Sequence, residues 1–267
     1  MAYKTVQAKA NSSSIIKPEE LINVIELVPL KLSDRRIFNL LLANSWHEVT
    51  KNKEWSIPKS DLLVHTKATD QLDLSIGRLM GARVKVQITR KEDGEKYTRS
   101  FTLLEHIDEP VRKSGLVYYK FPQALRVLIM NSTAFARLQK AVMFQLSSKY
   151  SLALYEMIQQ RGNLDHKWSE AFTIAQLRGL LGVPDGKLKE YKNFKARCLL
   201  PAVQEVDFLS EYRLHFLQHK TGKFVTSITL HWYKKSITEL KEAFKEMKAS
   251  RTGREARMRQ EVEKVFS

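Results

Sequence analysis

The sequence predicts an α+β protein in which one structural plan occurs twice. An apolar helical pattern begins at Leu32 ("LSDRRIFNLLL"), and a similar pattern begins at Leu146 ("LSSKYSLALYEMI"). A Trp-Ser pair follows each pattern, at Trp55 and at Trp168, and two adjacent leucines follow each pair. A further helical segment and an alternating segment with a turn complete each half. This internal repetition predicts two related domains in tandem.

Apolar spacing and capping residues predict the helices of each half. Ser33 and Ser147 stand at the start of the first helix, where a serine hydroxyl can cap free backbone N–H groups. The adjacent leucines lie in a short second helix. A third helix is expected over residues 70–81 and over residues 190–209. Each half therefore has three predicted helices before its β-hairpin.

The end of each half alternates between apolar and polar residues, which is the pattern of a half-buried strand. The turn falls at Asp93-Gly94 in "VKVQITRKEDGEKYTRSFTLLEHI" and at Thr221-Gly222 in "YRLHFLQHKTGKFVTSITLHWY". Three helices and a hairpin describe a winged helix, in which one helix enters the major groove of DNA and the hairpin contacts the backbone. The alternative is two small α+β units without a binding role, because a fold alone does not decide a function.

The domain boundaries follow from breaks in regular structure at Pro110, Gly115 and Pro122, which predict a linker between the halves. We expect two tandem winged-helix domains with a C-terminal helical tail. The predicted segments are a flexible arm over 1–14, a first domain over 15–130, a second domain over 131–236 and a charged helical tail over 237–267. The first domain is expected to end in a strand, "LVYYKF", which together with the preceding hairpin presents an edge for a second copy of the chain.

The charge balance favours nucleic acid as the partner. The 267 residues include 45 Lys and Arg against 29 Asp and Glu, a formal net charge of +16, and such a surplus attracts polyanions. No membrane partner is expected, since no apolar run approaches the ~20 residues that span a bilayer and the N terminus lacks a signal-peptide core. The single cysteine, Cys198, excludes an internal disulfide and fits a reducing compartment, so a cytoplasmic protein is expected.

The predicted helix over residues 190–209 carries the best candidate surface for DNA. One face of this helix is expected to pack on the core, and it contains Phe194, Cys198, Ala202 and Val206. Lys192, Asn193 and Ala196 point the opposite way, and Lys195 and Arg197 flank them. A small residue such as Ala196 at the centre of the outward face lets a helix backbone lie deep in a groove. Pro201 is expected to bend the helix beyond the DNA-facing turns.

The candidate DNA-binding residues are basic or amide side chains on the third helices and the hairpins. In the second half they are Lys187, Lys189, Lys192, Asn193, Lys195, Arg197, Lys220 and Lys223. In the first half they are Arg78, Arg83, Lys91, Lys96 and Arg99. One basic hairpin alone would indicate only a solvated surface. Two basic hairpins beside two candidate helices favour DNA binding.

The sequence predicts no enzymatic activity, no metal and no other cofactor. Gly186-Lys187 is followed by Leu188 rather than Ser or Thr, so no phosphate-binding loop for ATP is formed. His215 and His219 share a strand face, but the sequence positions no third metal ligand. A rolling-circle nickase would need two histidines separated by one apolar residue, and the sequence contains no such triplet. The tryptophans, which could stack on single-stranded bases, are expected in the core as repeated positions: Trp46, Trp55, Trp168 and Trp232.

The segments "LSSKYSLALYEMI", "FTIAQLRGLLGV" and "EYKNFKARCLLPAVQEVD", with the strand pair after them, resemble the replication initiator (Rep) proteins of iteron-containing bacterial plasmids. In that family a Tyr, a Phe with basic neighbours and a Glu-Ile/Val pair mark the recognition helix of the second winged-helix domain. Tyr191, Phe194, Lys195, Arg197 and the "QEVD" segment hold those positions here. The family typically has a run of arginines after the phenylalanine, whereas this chain has Lys195, Ala196 and Arg197.

The resemblance implies a protein that binds direct repeats (iterons) in double-stranded DNA at a plasmid origin. It implies that the protein helps to open the origin and recruits the host initiator DnaA and the replicative helicase. It also implies a homodimer, built mainly through the first domain, that represses its own gene. On physical grounds a dedicated transcriptional repressor needs the same surfaces and stays as the alternative, and a rolling-circle origin nickase ranks behind it.

Overall fold

The computed structural model describes residues 4–63, 69–90, 93–112, 114–164 and 166–258, and the chain divides into two compact units. The first unit comprises Met1–Lys140 with Gly182–Pro184, and the second comprises Ala141–Leu181 with Asp185–Ser267. The sequence places the boundary at residue 130. The first unit runs on to Lys140 because a strand at Phe135–Gln139 pairs with one near the N terminus. Within the described ranges, every helix is too short or too polar to cross a lipid bilayer.

The first unit contains the helix, helix, helix, hairpin order that the sequence predicts. Its elements are β1 (Ser14–Pro18), α1 (Glu19–Ile22), β2 (Ile25–Glu26), α2 (Leu32–Ser45), β3 (Trp55–Pro58), α3 (Lys59–Leu63), α4 (Thr69–Met80), β4 (Arg83–Thr89), β5 (Lys96–Thr102), β6 (His106–Asp108), β7 (Leu116–Lys120), α5 (Gln123–Asn131) and β8 (Phe135–Gln139). Helices α2 and α4 pack together through buried side chains such as Ile37, Leu41, Leu72 and Leu79. Each such side chain contributes roughly 1.5–3 kcal/mol on burial.

Strand β7 does not present the edge that the sequence predicts for "LVYYKF". It lies in the middle of a sheet in the order β3–β7–β6, with Trp55 opposite Tyr119 on one side and Ile107 opposite Tyr119 on the other. The rings of Trp55, Tyr119 and Phe121 pack with centroids 5.5–6.0 Å apart. Among the described strands, β5 is an edge strand, in a sheet ordered β2–β4–β5.

The predicted linker is folded. Pro110, Gly115 and Pro122 border β6, β7 and α5, and all of these elements belong to the first unit. Prolines and glycines here end strands and begin a helix rather than separate domains.

Part of the predicted N-terminal arm also packs against the first unit. The hydroxyl of Thr5 is buried and donates to the Ser132 hydroxyl at 2.9 Å, and the indole N–H of Trp46 donates to the Ala8 carbonyl at 2.9 Å. Strand β1 then pairs antiparallel with β8, Ser14 with Gln139 through Pro18 with Phe135. Thr5, Ala8 and Ser14 are therefore buried in the first unit, whereas residues 9–13 between them are exposed.

The second unit repeats the plan. Its elements are α6 (Lys140–Gln145), α7 (Lys149–Arg161), β9 (Ser169–Thr173), α8 (Ile174–Leu180), α9 (Tyr191–Phe194), a π-helical turn (Lys195–Leu199), α10 (Leu200–Leu209), β10 (Tyr212–Thr221), β11 (Phe224–Lys234) and α11 (Ile237–Lys248). The sheet has the order β10–β11–β9, and its inner face, with Phe172, Ile228 and Leu230, is buried.

The capping residues differ from the predicted ones. Helix α2 begins at Leu32, so Ser33 lies inside it, and the Asp34 carboxylate accepts the backbone N–H of Lys31 at 2.8 Å instead. Helix α7 is capped by Ser148, whose hydroxyl accepts the N–H of Ser151 at 2.9 Å. The shift by one residue places Ser147 outside the helix.

The described part of the charged tail, residues 237–258, begins with helix α11 and is fixed to the second unit. Ser236 and Glu239 form a reciprocal cap at the start of α11, and Arg213 donates to Glu239 at 2.7 Å. Beyond α11, the buried Arg254 donates to Glu246 at 3.0 Å and to the side chain of Gln145 at 3.2 Å. Ion pairs and hydrogen bonds hold this segment more than apolar packing does.

Candidate nucleic-acid interface

Helices α9 and α10, with the π-helical turn between them, form one continuous helical segment with a buried face and an outward face. The buried face contains the four predicted residues, Phe194, Cys198, Ala202 and Val206, and all are almost completely buried. Burial raises the pKa of the Cys198 thiol to about 12, so it stays a neutral apolar group. The predicted core face of this helix is confirmed.

The outward face carries the predicted cations around a small residue. Lys192, Ala196 and Arg197 are exposed, and Asn193 and Lys195 are half-buried. The Lys195 ammonium lies 6.0 Å from the centre of the Phe216 ring. Among the described residues, Lys192 and Arg197 have no hydrogen-bond or ion-pair partner, so their charges are available to a ligand.

The π-helical turn allows buried residues that are four positions apart to stay on one face of the helical segment. Buried positions four residues apart drift by about 40° per step around a regular helix of 3.6 residues per turn. The backbone N–H of Leu200 bonds to the Lys195 carbonyl, so this turn takes up an additional residue and reduces the drift. Pro201 stands directly after the turn at the start of α10. The sequence predicts a distortion beyond the DNA-facing turns, but the structure places it at the residues that face outward.

The loop before α9 is held by Arg178, a residue that the sequence interpretation missed. Its guanidinium donates to the backbone carbonyls of Lys187 and Leu188 and lies 5.5 Å from the centre of the Phe194 ring. Leu188 and Gly186 have left-handed φ values of +50° and +76°. Lys187 and Lys189 are exposed on this loop, one turn before the helix begins.

The hairpin of β10 and β11 forms the second unit's wing. Its tip is the pair Gly222-Lys223, with Gly222 at a φ of +60°, and Thr221 pairs with Phe224 across the strands. Lys220 and Lys223 are exposed, and Phe224, the first residue of β11, is 77% exposed. The wing tip therefore combines cations for phosphate with an apolar ring.

The "QEVD" segment has a structural role. The Glu205 carboxylate is buried and accepts the backbone N–H of Ser147 at 2.8 Å, just before α7. The Asp207 carboxylate accepts the N–H of Leu214 at 2.8 Å and a bond from Arg213 at 3.1 Å. These acids orient α10 against α7 and β10, which positions the outward face.

Histidines on the wing form a stacked pair. The rings of His215 and His231 face each other across β10 and β11 with centroids 4.9 Å apart and an interplanar angle of 4°. Burial and the neighbouring His231 lower the pKa of His215. Among the described residues, the cluster with three potential metal ligands is elsewhere, at Glu54, His106 and Asp108 in the first unit. His219 bonds Thr229 at 2.7 Å.

The predicted cations on the wing of the first unit lie on two different faces of the β4–β5 hairpin. Arg83 and Lys96 lie on the exposed face of the β4–β5 hairpin, together with Lys85, which the sequence interpretation missed. The alternation in "RVKVQIT" could have identified it. Arg99 pairs with Val86 and lies on the opposite, half-buried face. Lys91 lies outside the described residues.

Arg78 is engaged within the first unit. Its guanidinium bonds both carboxylate oxygens of the fully buried Asp34 at 2.8 Å and the Ser75 hydroxyl at 3.0 Å. The exposed face of α4 contains Asp73 and Leu74 rather than cations, and Asp73 pairs with Lys59 at 3.3 Å. The outward faces of α4 and of the α9–α10 segment therefore differ in charge.

The tryptophans are not all in the core. Trp46, Trp55 and Trp232 are buried as predicted, but Trp168 is 65% exposed. It stands just before β9, and its carbonyl accepts the N–H of Trp232 at 2.9 Å. The repeat predicts equivalent burial, but Trp168 lies at the end of the sheet, where the strands no longer cover its ring.

The fold and the site define a DNA-binding protein class with two winged helices, one of which carries a cationic outward helix face. Sequence models of the initiator replication protein family match twice: the first winged-helix domain (WH1) over residues 14–159 and the second (WH2) over residues 173–232. The chain belongs to this initiator Rep protein family.

The fold is also similar to a solved structure. It matches the Pi initiator protein in complex with iteron DNA, with a TM-score of 0.57 at 17% sequence identity, over 85% of this chain and 100% of that chain. At this identity the likeness shows a shared fold. A search of curated protein sequences gives no significant match.

Proposed function

We propose that the protein initiates plasmid replication by binding iteron repeats in double-stranded origin DNA. The observation that carries the proposal is the exposed set Lys192, Ala196 and Arg197 on a helix in the family's WH2 domain. Arginine forms paired hydrogen bonds with guanine, and the small Ala196 permits close approach to the groove. The Pi initiator protein, which shares the fold, is bound to iteron DNA.

The two domains have different roles in this proposal. The second domain contacts bases through the α9–α10 segment and phosphates through Lys220 and Lys223. The first domain contacts the DNA backbone through Arg83, Lys85 and Lys96, since the cation on α4 is engaged by Asp34. The same first domain forms a homodimer. Light scattering over a concentration series should show a dimer for the intact chain, and persistence of that dimer after removal of the first domain would reverse the assignment.

The family resemblance supports further steps. We infer that the bound protein helps to open the origin, recruits the host initiator DnaA and the replicative helicase, and represses its own gene, which contributes to control of copy number. We also propose that it performs these steps without an enzymatic reaction or a cofactor, in the cytoplasm with the plasmid and nucleoid. A dedicated repressor with the same surfaces is the second candidate, and an origin nickase is the third.

Footprinting on the DNA that flanks the gene, followed by permanganate probing for unpaired thymines, tests the proposal. Two domains in adjacent major-groove turns should protect roughly 20 bp, since half-sites one helical turn apart are ~10 bp apart. Melted thymines next to the protected repeats are expected for an initiator. Protection without melting would favour the repressor, and a strand break at the origin would favour the nickase.

A further inference from the structure

Helix α11 is oriented opposite to an ordinary surface helix. A surface helix normally buries its apolar stripe and exposes its charges. In α11 the buried positions are Ala243 and Glu246, and the exposed side chains include Ile237 at 74%, Leu240 at 39% and Phe244 at 54%. The helix follows the residues matched by the WH2 model, so the winged helix does not require this arrangement.

Ion pairs explain how α11 holds this orientation. The Glu246 carboxylate accepts bonds from Arg254 at 3.0 Å and from Arg257 at 2.6 and 2.8 Å. Hydrogen bonds from Arg257, together with those from Arg254, lower the pKa of Glu246, so it is charged at neutral pH. At the other end Arg213 pairs with Glu239 at 2.7 Å. The helix is therefore anchored through its polar face.

The exposed apolar residues form one stripe with cations beside it. Ile237, Leu240 and Phe244 are separated by three and four residues and so lie on one face of the helix. A second stripe runs alongside on the exposed surface and contains Lys241, Lys245 and Lys248. The Lys248 ammonium lies 4.3 Å from the centre of the Phe244 ring, which shows how closely the two stripes adjoin.

We propose that this stripe, Ile237, Leu240 and Phe244 with its lysine border, is the docking site for an acidic amphipathic helix of a partner protein. A single exposed apolar side chain is ordinary, but three in one stripe on one helix form an interaction surface. The lysine border selects acidic residues beside the partner's apolar anchors, and it disfavours a second copy of α11. The apolar side chains are unsuited to phosphate, and the stripe is narrow for a helix that lies in a membrane surface.

The test measures fluorescence anisotropy of labelled 18-residue peptides with the intact protein. The probes are a helical peptide with leucines on one face and glutamates beside them, its lysine counterpart, and a scrambled acidic peptide. We expect the acidic amphipathic peptide to bind and Phe244→Asp or Leu240→Asp to weaken it at least tenfold. Leu74→Asp makes the same exchange at an exposed leucine of α4 and should change affinity less than twofold.

A charge reversal at two border lysines tests whether charge determines which peptide binds. The double variant Lys241→Glu with Lys245→Glu should lose the acidic peptide and gain affinity for the lysine peptide. The proposal is overturned if the scrambled acidic peptide binds equally well, if Phe244→Asp has no effect on peptide binding, or if no peptide binds. It is also overturned if Phe244→Asp instead abolishes binding to phosphatidylglycerol vesicles or dissociates a dimer. Iteron binding, measured separately, should be unchanged in Phe244→Asp, so failure here is distinguishable from failure of the proposed function.

Discussion

Arg78 donates two hydrogen bonds of 2.8 Å to the buried carboxylate of Asp34, and this pair joins helix α4 to the start of helix α2. The same carboxylate accepts the backbone N–H of Lys31 and so caps α2. The sequence predicts that Arg78 contacts DNA, whereas in the structure its side chain stabilises the first winged helix.

Arg78→Ala should lower the free energy of unfolding by about 2–4 kcal/mol, because it leaves the buried Asp34 charge without its partner. Arg78→Lys, which keeps the charge but loses the paired geometry, should cost less. Urea denaturation of both variants measures the difference. Reduced affinity for iteron DNA with unchanged stability would instead assign Arg78 to DNA contact.

Acid should destabilise the first domain through Asp34. Burial alone would raise its pKa, but hydrogen bonds from Arg78, Lys31 and Ser75 outweigh burial and lower the pKa from 3.8. Because the folded pKa lies below the unfolded one, the stabilisation is complete above the unfolded value and is lost as the pH falls through the folded value. Denaturation between pH 6 and pH 2 should show this loss, and Arg78→Ala should flatten it. An equally steep curve in Arg78→Ala would assign the acid sensitivity to other groups.

Arg197 and Lys223 should separate base contact from phosphate contact. Arg197→Ala should cost about 1–3 kcal/mol on the cognate site and little on random DNA, since paired bonds to guanine depend on sequence. Lys223→Ala should weaken binding to both DNAs and reduce the salt slope by about one. Electrophoretic mobility shifts with both DNAs measure the effects, after circular dichroism confirms that each variant folds. Equal loss on both DNAs for a folded Arg197→Ala would mean that the helix supplies charge without contacting bases.

Binding should depend strongly on salt. Given the net charge of +16, we expect the two basic wings to neutralise several phosphates, and each neutralised phosphate releases counterions. A plot of log K against log salt should therefore fall steeply, with a slope of about −0.9 for each phosphate contacted. A nearly flat plot would assign the charge to another role.

The pattern of apolar and polar residues in the sequence predicted the structural features that depend on residues close together in the chain. The buried face from Phe194 to Val206 and both hairpins follow from spacing that a helix or strand imposes on its own sequence. The pairing of β1 with β8 was not predictable, because it joins residues more than a hundred positions apart. For the same reason Arg78 appeared available, since Asp34 lies far from it in the sequence. Trp168 shows that residues at equivalent positions of a repeat need not be equally buried.

The wide turn between α9 and α10 restricts how the specificity of this protein can be changed. One added residue rotates everything after it by about 100° around a helix axis. The π-helical turn takes up one additional residue and offsets part of this rotation, so Ala202 and Val206 stay on the buried face with Phe194. A substitution that imposed a regular helical turn without removing a residue would restore the rotation and turn Ala202 and Val206 away from the core. Substitutions that retarget the outward face to a new repeat sequence must therefore preserve the wide turn from Lys195 to Leu199.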